Sequence, residues 1–225
     1  MALQNGHAKK QDYIKIGDEF TTYDPDLFIL PKHYKDSIGS VLLPHGFIMN
    51  RIQRLAQMIL QDYGDESITL LCVLKGGFRF CQDLMTSIGE LNRSAEKSLQ
   101  MNIEFIKAKS YVNDQQGSIM ISSHGSPLNL EGKNVLIVED VVDSGRTMEK
   151  LIEKVSEDKP KSLKVATLLL KRNKNSTGYR PDYLGFEIPD TIWLIGYGGF
   201  DYNDYFRDLD HIVILNEFGR KKYTR

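Results

Sequence analysis

Three acidic side chains stand close together in the stretch Val135-Leu-Ile-Val-Glu-Asp-Val-Val-Asp-Ser-Gly-Arg-Thr147. Glu139 and Asp140 follow four apolar residues that are typical of a buried strand, and Asp143 precedes a short turn of small residues. The apolar spacing from Met148 onward is typical of a helix. Unpaired backbone N–H groups at a helix start attract anions, and carboxylates just upstream can bind sugar hydroxyls or a hard metal ion. The pattern therefore predicts a site for a phosphorylated sugar.

This stretch differs from the commoner nucleotide-binding motifs. A P-loop needs Gly, four residues and then Gly-Lys-Ser/Thr, and a dinucleotide fingerprint needs three spaced glycines, of which only Gly145 is present. The alternative interpretation is a plain strand-to-helix turn with Asp143 or Ser144 as its N-cap. The two acids argue against it, because charges at the end of an apolar strand cost free energy unless they have partners.

Two other segments place a lysine after an apolar strand. Leu74-Lys-Gly-Gly77 carries two glycines, which let a backbone approach a ligand closely. Lys171 could donate a hydrogen bond to an exocyclic purine oxygen, or it could be a solvated strand end. Trp193, the only tryptophan, could stack on a base or belong to the core or its rim.

Alternating strands and helices must position these residues. Apolar runs predict strands at 69–74, 165–170, 192–195 and 211–215, with less distinct strands at 102–108 and 118–122. A capping box, Asn50-Arg-Ile-Gln53, predicts one helix start, and further helices are expected after Gly77 and after Thr147. This alternation predicts an α/β fold with a largely parallel sheet, whose ligands bind beyond the carboxyl ends of the strands. The residues expected at that edge are Leu74, Asp140, Leu170 and Ile195.

Composition narrows the class of protein. The chain has 225 residues, a formal net charge of −1 and 41% hydrophobic residues. A near-neutral charge argues against a nucleic-acid partner, and no apolar run is long enough to predict a membrane span. The polar start does not look like a secretory signal, and Cys72 and Cys81 are interpreted as reduced core residues of a cytoplasmic protein.

The stretch at 135–147 resembles the loop that binds phosphoribosyl pyrophosphate (PRPP) in the type I phosphoribosyltransferases. Further segments follow the order found in the purine branch of that family, from about residue 20 to the end: Leu43-Pro-His-Gly46, Leu74-Lys-Gly-Gly77, Lys109-Ser-Tyr111, Leu170-Lys-Arg172, Tyr179-Arg-Pro-Asp-Tyr183, Gly185-Phe-Glu-Ile-Pro189, Asp201-Tyr-Asn203 and Phe206-Arg-Asp208. Within that branch the chain is similar to the hypoxanthine-guanine transferases.

The resemblance implies an architecture. It is the type I phosphoribosyltransferase fold, an α/β fold in which helices flank a twisted parallel sheet and a small hood covers the site. Residues 1–19 are expected to be a disordered tail and 20–225 a single domain. The hood is expected to come from about 20–45 and 175–225.

The resemblance also implies substrate-binding roles for the polar residues. Glu139 and Asp140 would hold the ribose hydroxyls, and the 5′-phosphate would bind at Asp143, Ser144, Gly145, Arg146 and Thr147. The pyrophosphate would bind at Lys75, Gly76 and Arg207, with a cis peptide bond expected at Leu74–Lys75 or Lys75–Gly76. The purine would bind at Lys171, Trp193 and Leu194.

Catalytic parts follow from the same resemblance. Asp143 would be the general base, and Mg²⁺ would be the cofactor, near Glu139, Asp140 and Asp201. Ser110 and Tyr111 would form a lid that keeps water from the reacting groups.

The implied reaction joins PRPP to a 6-oxopurine, hypoxanthine or guanine, to give IMP or GMP and pyrophosphate. The protein would be a homodimer or homotetramer. Two alternatives stay open: a non-catalytic or weakly active binding or regulatory protein, and a transferase that prefers xanthine.

One departure from the family pattern concerns the stretch that follows Gly196-Tyr197. Three residues, Gly198-Gly-Phe200, stand before Asp201 where the family commonly has two, and one extra residue also stands between Asp190 and Trp193. Counting back from Gly196 gives Trp193 the stacking position and Leu194 the position whose backbone reads the purine edge. Counting forward from Pro189 would move both by one.

Overall fold

A computed structural model describes residues 12–110, 119–123 and 128–224, with the side chains of 108–110 and 119–123 left aside. The strands are β1 (Ile14–Lys15), β2 (Ile38–Leu43), β3 (Ser67–Leu74), β4 (Gln100–Ser110), β5 (Ile119–Ser123), β6 (Asn134–Val142), β7 (Ser162–Arg172), β8 (Tyr183–Pro189), β9 (Leu194–Gly196) and β10 (Ile212–Leu215). The α-helices are α1 (His45–Tyr63), α2 (Gly77–Asn92), α3 (Arg146–Ser156) and α4 (Glu217–Lys222).

The larger sheet has seven strands in the order β1-β8-β7-β6-β3-β4-β5. Every neighbouring pair in it is parallel except β4–β5. The predicted α/β fold with a largely parallel sheet is therefore confirmed. The carboxyl ends of β3, β6 and β7 lie at one edge, where Lys75 follows β3, Asp143 follows β6 and Lys171 stands near the end of β7.

Helices cover both faces of this sheet. Leu136 and Val138 of β6 pack in the core cluster that contains the apolar faces of α1 and α2. The alternate residues Val135 and Ile137 pack with Met148, Leu151 and Val155 of α3. Because successive side chains of a strand point to opposite faces, a continuous apolar run such as 135–138 serves a strand that is buried on both faces.

The smaller sheet has the order β2-β10-β9 and is antiparallel. Its strands come from 38–43 and from 194–215, so the expectation that Ile195 ends a strand of the main sheet is wrong. The segment 183–189, which was expected in the hood, instead forms β8 of the main sheet, because all seven of its residues are buried there.

Several boundaries differ from the sequence-based predictions, and strand β7 ends at Arg172 rather than at Leu170. Helix α1 begins at His45 rather than at a capping box on Asn50, because Pro44 starts the helix and its carbonyl accepts from the N–H groups of Phe47 and Ile48. Strand β6 continues past Asp140 to Val142. The expected tail of residues 1–19 extends too far, since β1 pairs with β8 and Ile16 N–H donates to the Glu187 carbonyl at 2.8 Å.

None of the helices within the described ranges is long and apolar enough to cross a membrane.

Candidate active site

The turn after β6 forms a small cavity at the sheet edge. Gly145 caps α3 in the left-handed region, with φ +89°. A Cβ atom at this position would lie 2.7 Å from Thr177 Oγ1 and 2.8 Å from Tyr179 Cβ, so the close approach of the two segments also requires glycine. The cavity measures about 220 Å³, and its polar lining comes from Glu139, Asp140, Asp143, Ser144 and Thr147. Its size and its position at the start of α3 suit a phosphate group.

Arg146 is the one residue of the predicted phosphate loop that does not line this cavity. Its side chain lines a separate groove on the outer face of α3, together with Glu149 and Glu153. Only its backbone is therefore available to a ligand in the cavity.

Asp140 is held between two glycines that meet from different parts of the chain. Its side chain is buried, with 6% exposure. A Cβ atom on Gly76 would lie 2.5 Å from Asp140 Oδ2, and one on Gly199 would lie 2.2 Å from the same atom. Both positions must therefore be glycine for the Asp140 carboxylate to lie where it does.

Glu139 and Asp140 are adjacent acids whose side chains interact. Asp140 N–H donates to Glu139 Oε1 at 3.2 Å. Burial, followed by the hydrogen bond and charge of Asp140, raises the pKa of Glu139 well above its ordinary value. A ligand that supplies hydroxyl donors or a cation here would relieve that repulsion.

Asp143 contacts a lysine and an amide across the cavity rim. Lys171 Nζ lies 3.3 Å from Asp143 Oδ2, and Asn173 Nδ2 donates to Asp143 Oδ1. Lys171 lies near the end of β7, next to β6 in the sheet, so parallel pairing brings the two side chains together. Half of the Asp143 side chain is exposed, with 52% accessible.

A second cavity of about 150 Å³ adjoins the first. Its lining comprises Val141, Lys171, Ile188, Trp193, Leu194, Phe200 and Asp201. Val141 lines both cavities. The Trp193 ring is 59% exposed and therefore available for stacking. The structure thus brings Lys171, Trp193 and Leu194 together at one cavity.

The loop after β3 lies beside the same edge. The Leu74–Lys75 peptide bond is cis, as predicted. Lys75 Nζ pairs with Asp204 Oδ1 at 3.1 Å. Lys75 lines a groove of about 650 Å³ together with Arg207 and two cations that the sequence analysis missed, Arg79 and Lys107.

Arg207 ties down the lengthened loop. Its Nη1 donates to the carbonyls of Gly198 at 2.8 Å and Gly199 at 2.9 Å, and its Nη2 pairs with Asp201. Its Nε is buried and has no hydrogen-bond partner among the described residues. A buried donor without a partner costs free energy, so an anion that accepts a hydrogen bond from it would be stabilised.

Tyr197 anchors the start of the same loop. Its hydroxyl donates to Asp83 Oδ2 at 2.5 Å, and the Arg79 guanidinium lies 5.1 Å from its ring centroid. Burial and the Asp83 carboxylate raise the pKa of Tyr197, so the hydroxyl stays protonated as the donor. Sequence reasoning missed this anchor, although Arg79 and Asp83 have the i, i+4 spacing of one helix face.

The candidate metal ligands come from two sides of the site. Asp201 already accepts from Arg207 and from the Asp204 N–H at 2.7 Å. No group of three or more His, Cys, Asp or Glu side chains suited to a metal occurs among the residues described. Mg²⁺ commonly binds through one or two carboxylates plus substrate phosphates and waters, and the Glu139–Asp140 pair fits that mode.

The expected lid lies mostly outside the described residues. Ser110 ends β4. The Ser110 side chain and all of Tyr111 are beyond the part that can be described.

Comparisons with known proteins agree with this geometry. A family model described as a phosphoribosyl transferase domain matches residues 40–203. The hypoxanthine-guanine phosphoribosyltransferase of Sus scrofa is 46% identical over 217 residues, which are 96% of this chain and 99% of that protein. Phosphoribosyltransferase domain-containing protein 1 of Xenopus tropicalis is 49% identical over 211 residues, 93% of each chain.

A solved structure gives the same result. The hypoxanthine-guanine phosphoribosyltransferase of Schistosoma mansoni, in complex with IMP, superimposes with a TM-score of 0.78 and 36% identity, and covers 94% of this chain and 99% of that chain.

Proposed function

This chain belongs to the phosphoribosyltransferase family, and from that premise we propose that it transfers the phosphoribosyl group of PRPP to hypoxanthine or guanine. The products are IMP or GMP and pyrophosphate, a reaction of purine salvage. One observation carries the proposal: a phosphate-sized cavity and an aromatic-lined cavity share Val141, and the Lys171–Asp143 pair stands where they meet.

The first cavity is assigned to the ribose 5-phosphate part of PRPP. Backbone N–H groups at the start of α3, with the hydroxyls of Ser144 and Thr147, hold the 5′-phosphate. Glu139 and Asp140 accept hydrogen bonds from the ribose hydroxyls. The raised pKa of Glu139 supports this assignment, because hydroxyl donors or a cation beside the two acids would reduce the repulsion between them.

The second cavity is assigned to the purine. Trp193 stacks on the ring, Leu194 lies at its edge, and Lys171 donates to the 6-oxo group. Adenine presents a donor at that position, so Lys171 disfavours it. Lys171 and Asp143 pair with each other. Facing a 6-oxopurine whose N7 carries a proton, Lys171 would donate to the 6-oxo oxygen and Asp143 would accept from the N7–H group.

Asp143 is assigned as the general base. The C1′–O bond to pyrophosphate breaks, N9 of the purine forms the new bond to C1′, and Asp143 accepts the proton from N7. The residues achieve this by positioning and by charge, without a covalent intermediate on the protein.

Lys75, Gly76 and Arg207 are assigned to the pyrophosphate. Both cations are already paired, with Asp204 and Asp201, so the leaving group replaces existing partners. The unpartnered Arg207 Nε supports this assignment.

Mg²⁺ is the proposed cofactor, and Glu139, Asp140 and Asp201 are the residues that would hold it. When bound, it would neutralise charge on the pyrophosphate. Glu139 and Asp140 would then orient the ribose, and Arg207 would transfer its contact from Asp201 to the leaving group.

Cytoplasmic location and a homodimeric or homotetrameric state are part of the same proposal. The two free, buried cysteines, Cys72 and Cys81, support a reducing compartment. The oligomeric state rests on the family alone.

The experiment is an assay with PRPP, Mg²⁺ and each of hypoxanthine, guanine, xanthine and adenine. IMP and GMP formation supports the proposal, and a preference for xanthine would instead support the related transferase. Nucleotide formed from none of the four bases would support a binding protein. The curated hypoxanthine-guanine relatives do not favour that outcome.

A further inference from the structure

The segment that follows β7 packs against the proposed phosphate loop. Thr177 N–H donates to the Ser144 carbonyl at 2.9 Å. Thr177 and Tyr179 leave no space for a side chain at Gly145. This second segment therefore forms a wall of the loop, and Asn173 stands at its start.

Asn173 contacts the carboxylate of Asp143 with a defined orientation. Its Oδ1 accepts from the Asn175 N–H at 2.7 Å. That bond fixes which end of the amide faces each way, so Nδ2 is the end that donates to Asp143 Oδ1.

The contact becomes more important once a purine is bound. Both carboxylate oxygens accept a hydrogen bond, Oδ2 from Lys171 and Oδ1 from Asn173. When Lys171 turns to the 6-oxo group, Asn173 remains as a donor to Asp143. A half-exposed carboxylate without that donor would be free to change rotamer.

We propose that Asn173 is a positioning residue that holds Asp143 in place for proton transfer. This inference rests on the proposed function, because it assumes that Asp143 is the base. Asn173 touches neither the purine nor PRPP in this assignment and acts through Asp143.

Asn173→Asp tests the hydrogen bond that Asn173 donates to Asp143 without removing the one that it accepts within the turn. An aspartate keeps the shape and still accepts from the Asn175 N–H, but it cannot donate and it repels Asp143. Asn175→Asp is the matched control, since it makes the same charge change on an exposed side chain two residues away. Both variants should retain the wild-type unfolding midpoint.

The kinetic expectation is a split between kcat and KM. A displaced Asp143 carboxylate accepts the proton less efficiently, so kcat of Asn173→Asp should fall by about tenfold or more. KM for PRPP should stay within about twofold, because backbone groups hold the phosphate. Asn175→Asp should match the wild type in both.

Crystal structures of the variants with IMP bound, in which Lys171 faces the purine and no longer holds Asp143, provide a readout that does not depend on turnover. The Asp143 carboxylate should turn away in Asn173→Asp and keep its position in Asn175→Asp. An unmoved Asp143, or an equal loss of kcat in the control, would overturn the inference. If the wild type forms no nucleotide, the proposed function fails and the role in proton transfer fails with it, whereas an Asp143 that turns away in Asn173→Asp still shows that Asn173 holds the carboxylate.

Discussion

Gly199 lies against the carboxylate of Asp140 so closely that a Cβ atom on the glycine would stand 2.2 Å from Oδ2. The extra length of the chain after Tyr197 therefore does not extend into solvent. It brings backbone onto one of the two acids assigned to the ribose. The lengthened loop is thus a wall of the site.

Gly199→Ala should consequently disturb the site more than an ordinary glycine substitution. Either the loop or Asp140 must move, and such a shift should lower kcat/KM for PRPP by about tenfold to a hundredfold. Overpacking should also lower the free energy of unfolding by about 1–3 kcal/mol. Steady-state kinetics and urea denaturation measure the two effects.

The control for this substitution is Gly89→Ala, in α2, where an added Cβ meets nothing within 4 Å. It should leave kcat/KM unchanged and should not destabilise the protein, because alanine has a higher helix propensity than glycine. If Gly199→Ala behaves like Gly89→Ala, the loop is not a wall of the ribose site.

Asp143→Asn should remove the proton acceptor without altering the phosphate contacts. We expect kcat to fall by about 10²-fold, while KM for PRPP changes little. Asp158→Asn, an exposed change in the segment after α3, serves as the control and should keep wild-type rates. Full turnover by Asp143→Asn would exclude Asp143 as the base.

Lys171→Met should selectively weaken use of 6-oxopurines. A hydrogen bond to a charged donor contributes about 1.5–3 kcal/mol, so kcat/KM for hypoxanthine should fall by about 10- to 150-fold. The matched variant Lys174→Met removes an exposed lysine three residues away and should have no such effect. An unchanged ratio of hypoxanthine to adenine use would argue that the base is selected elsewhere.

His211 should make folding stability pH-dependent. Its Nδ1 accepts from the His45 N–H at 3.0 Å, so the imidazole is neutral there. Burial lowers the pKa of His211 below its ordinary 6.5; Asp210 and the Ile29 carbonyl oppose this shift, and His45 and Arg79 add to it. The unfolded chain therefore binds more protons just below pH 6.5, and stability should fall as the pH decreases from 6.5 through the folded-state pKa.

Urea denaturation between pH 7.5 and 5 measures this effect. His211→Asn should flatten the profile, by no more than the contribution of one proton. His33→Gln, which removes an exposed histidine, should keep the wild-type profile. A slope that survives in His211→Asn would assign the pH dependence to other groups.

Local patterns along the chain predicted the central part of the fold well. The apolar run before Glu139 and the glycines after Leu74 predict two neighbouring strands, each followed by a helix. The structure contains both strands and both helices. Strand β1 was missed because two residues carry no periodic signal and pair only through the distant β8. The start of α1 was misassigned because a polar capping pattern was expected, whereas Pro44 begins the helix without a side-chain cap.

The site was predictable where one segment carries it. Glu139, Asp140 and Asp143 lie in one short segment at the end of β6, so their types and spacing indicate a common role. Asn173, Arg79 and Asp83 were missed because their contacts join segments more than 25 residues apart. Such contacts are set by strand pairing and helix docking, which a local pattern does not contain.

Three ion pairs in the site, Lys171–Asp143, Lys75–Asp204 and Arg207–Asp201, have a consequence for inhibitor chemistry. A ligand that binds here replaces the carboxylate partners of these cations instead of meeting unpaired positive charges. The measured affinity then reflects the difference in free energy between the ion pairs that the ligand makes and those within the protein. Simple polyanions therefore gain little affinity from charge alone. Compounds that supply the correct geometry at all three cations together are the ones that should compete with PRPP.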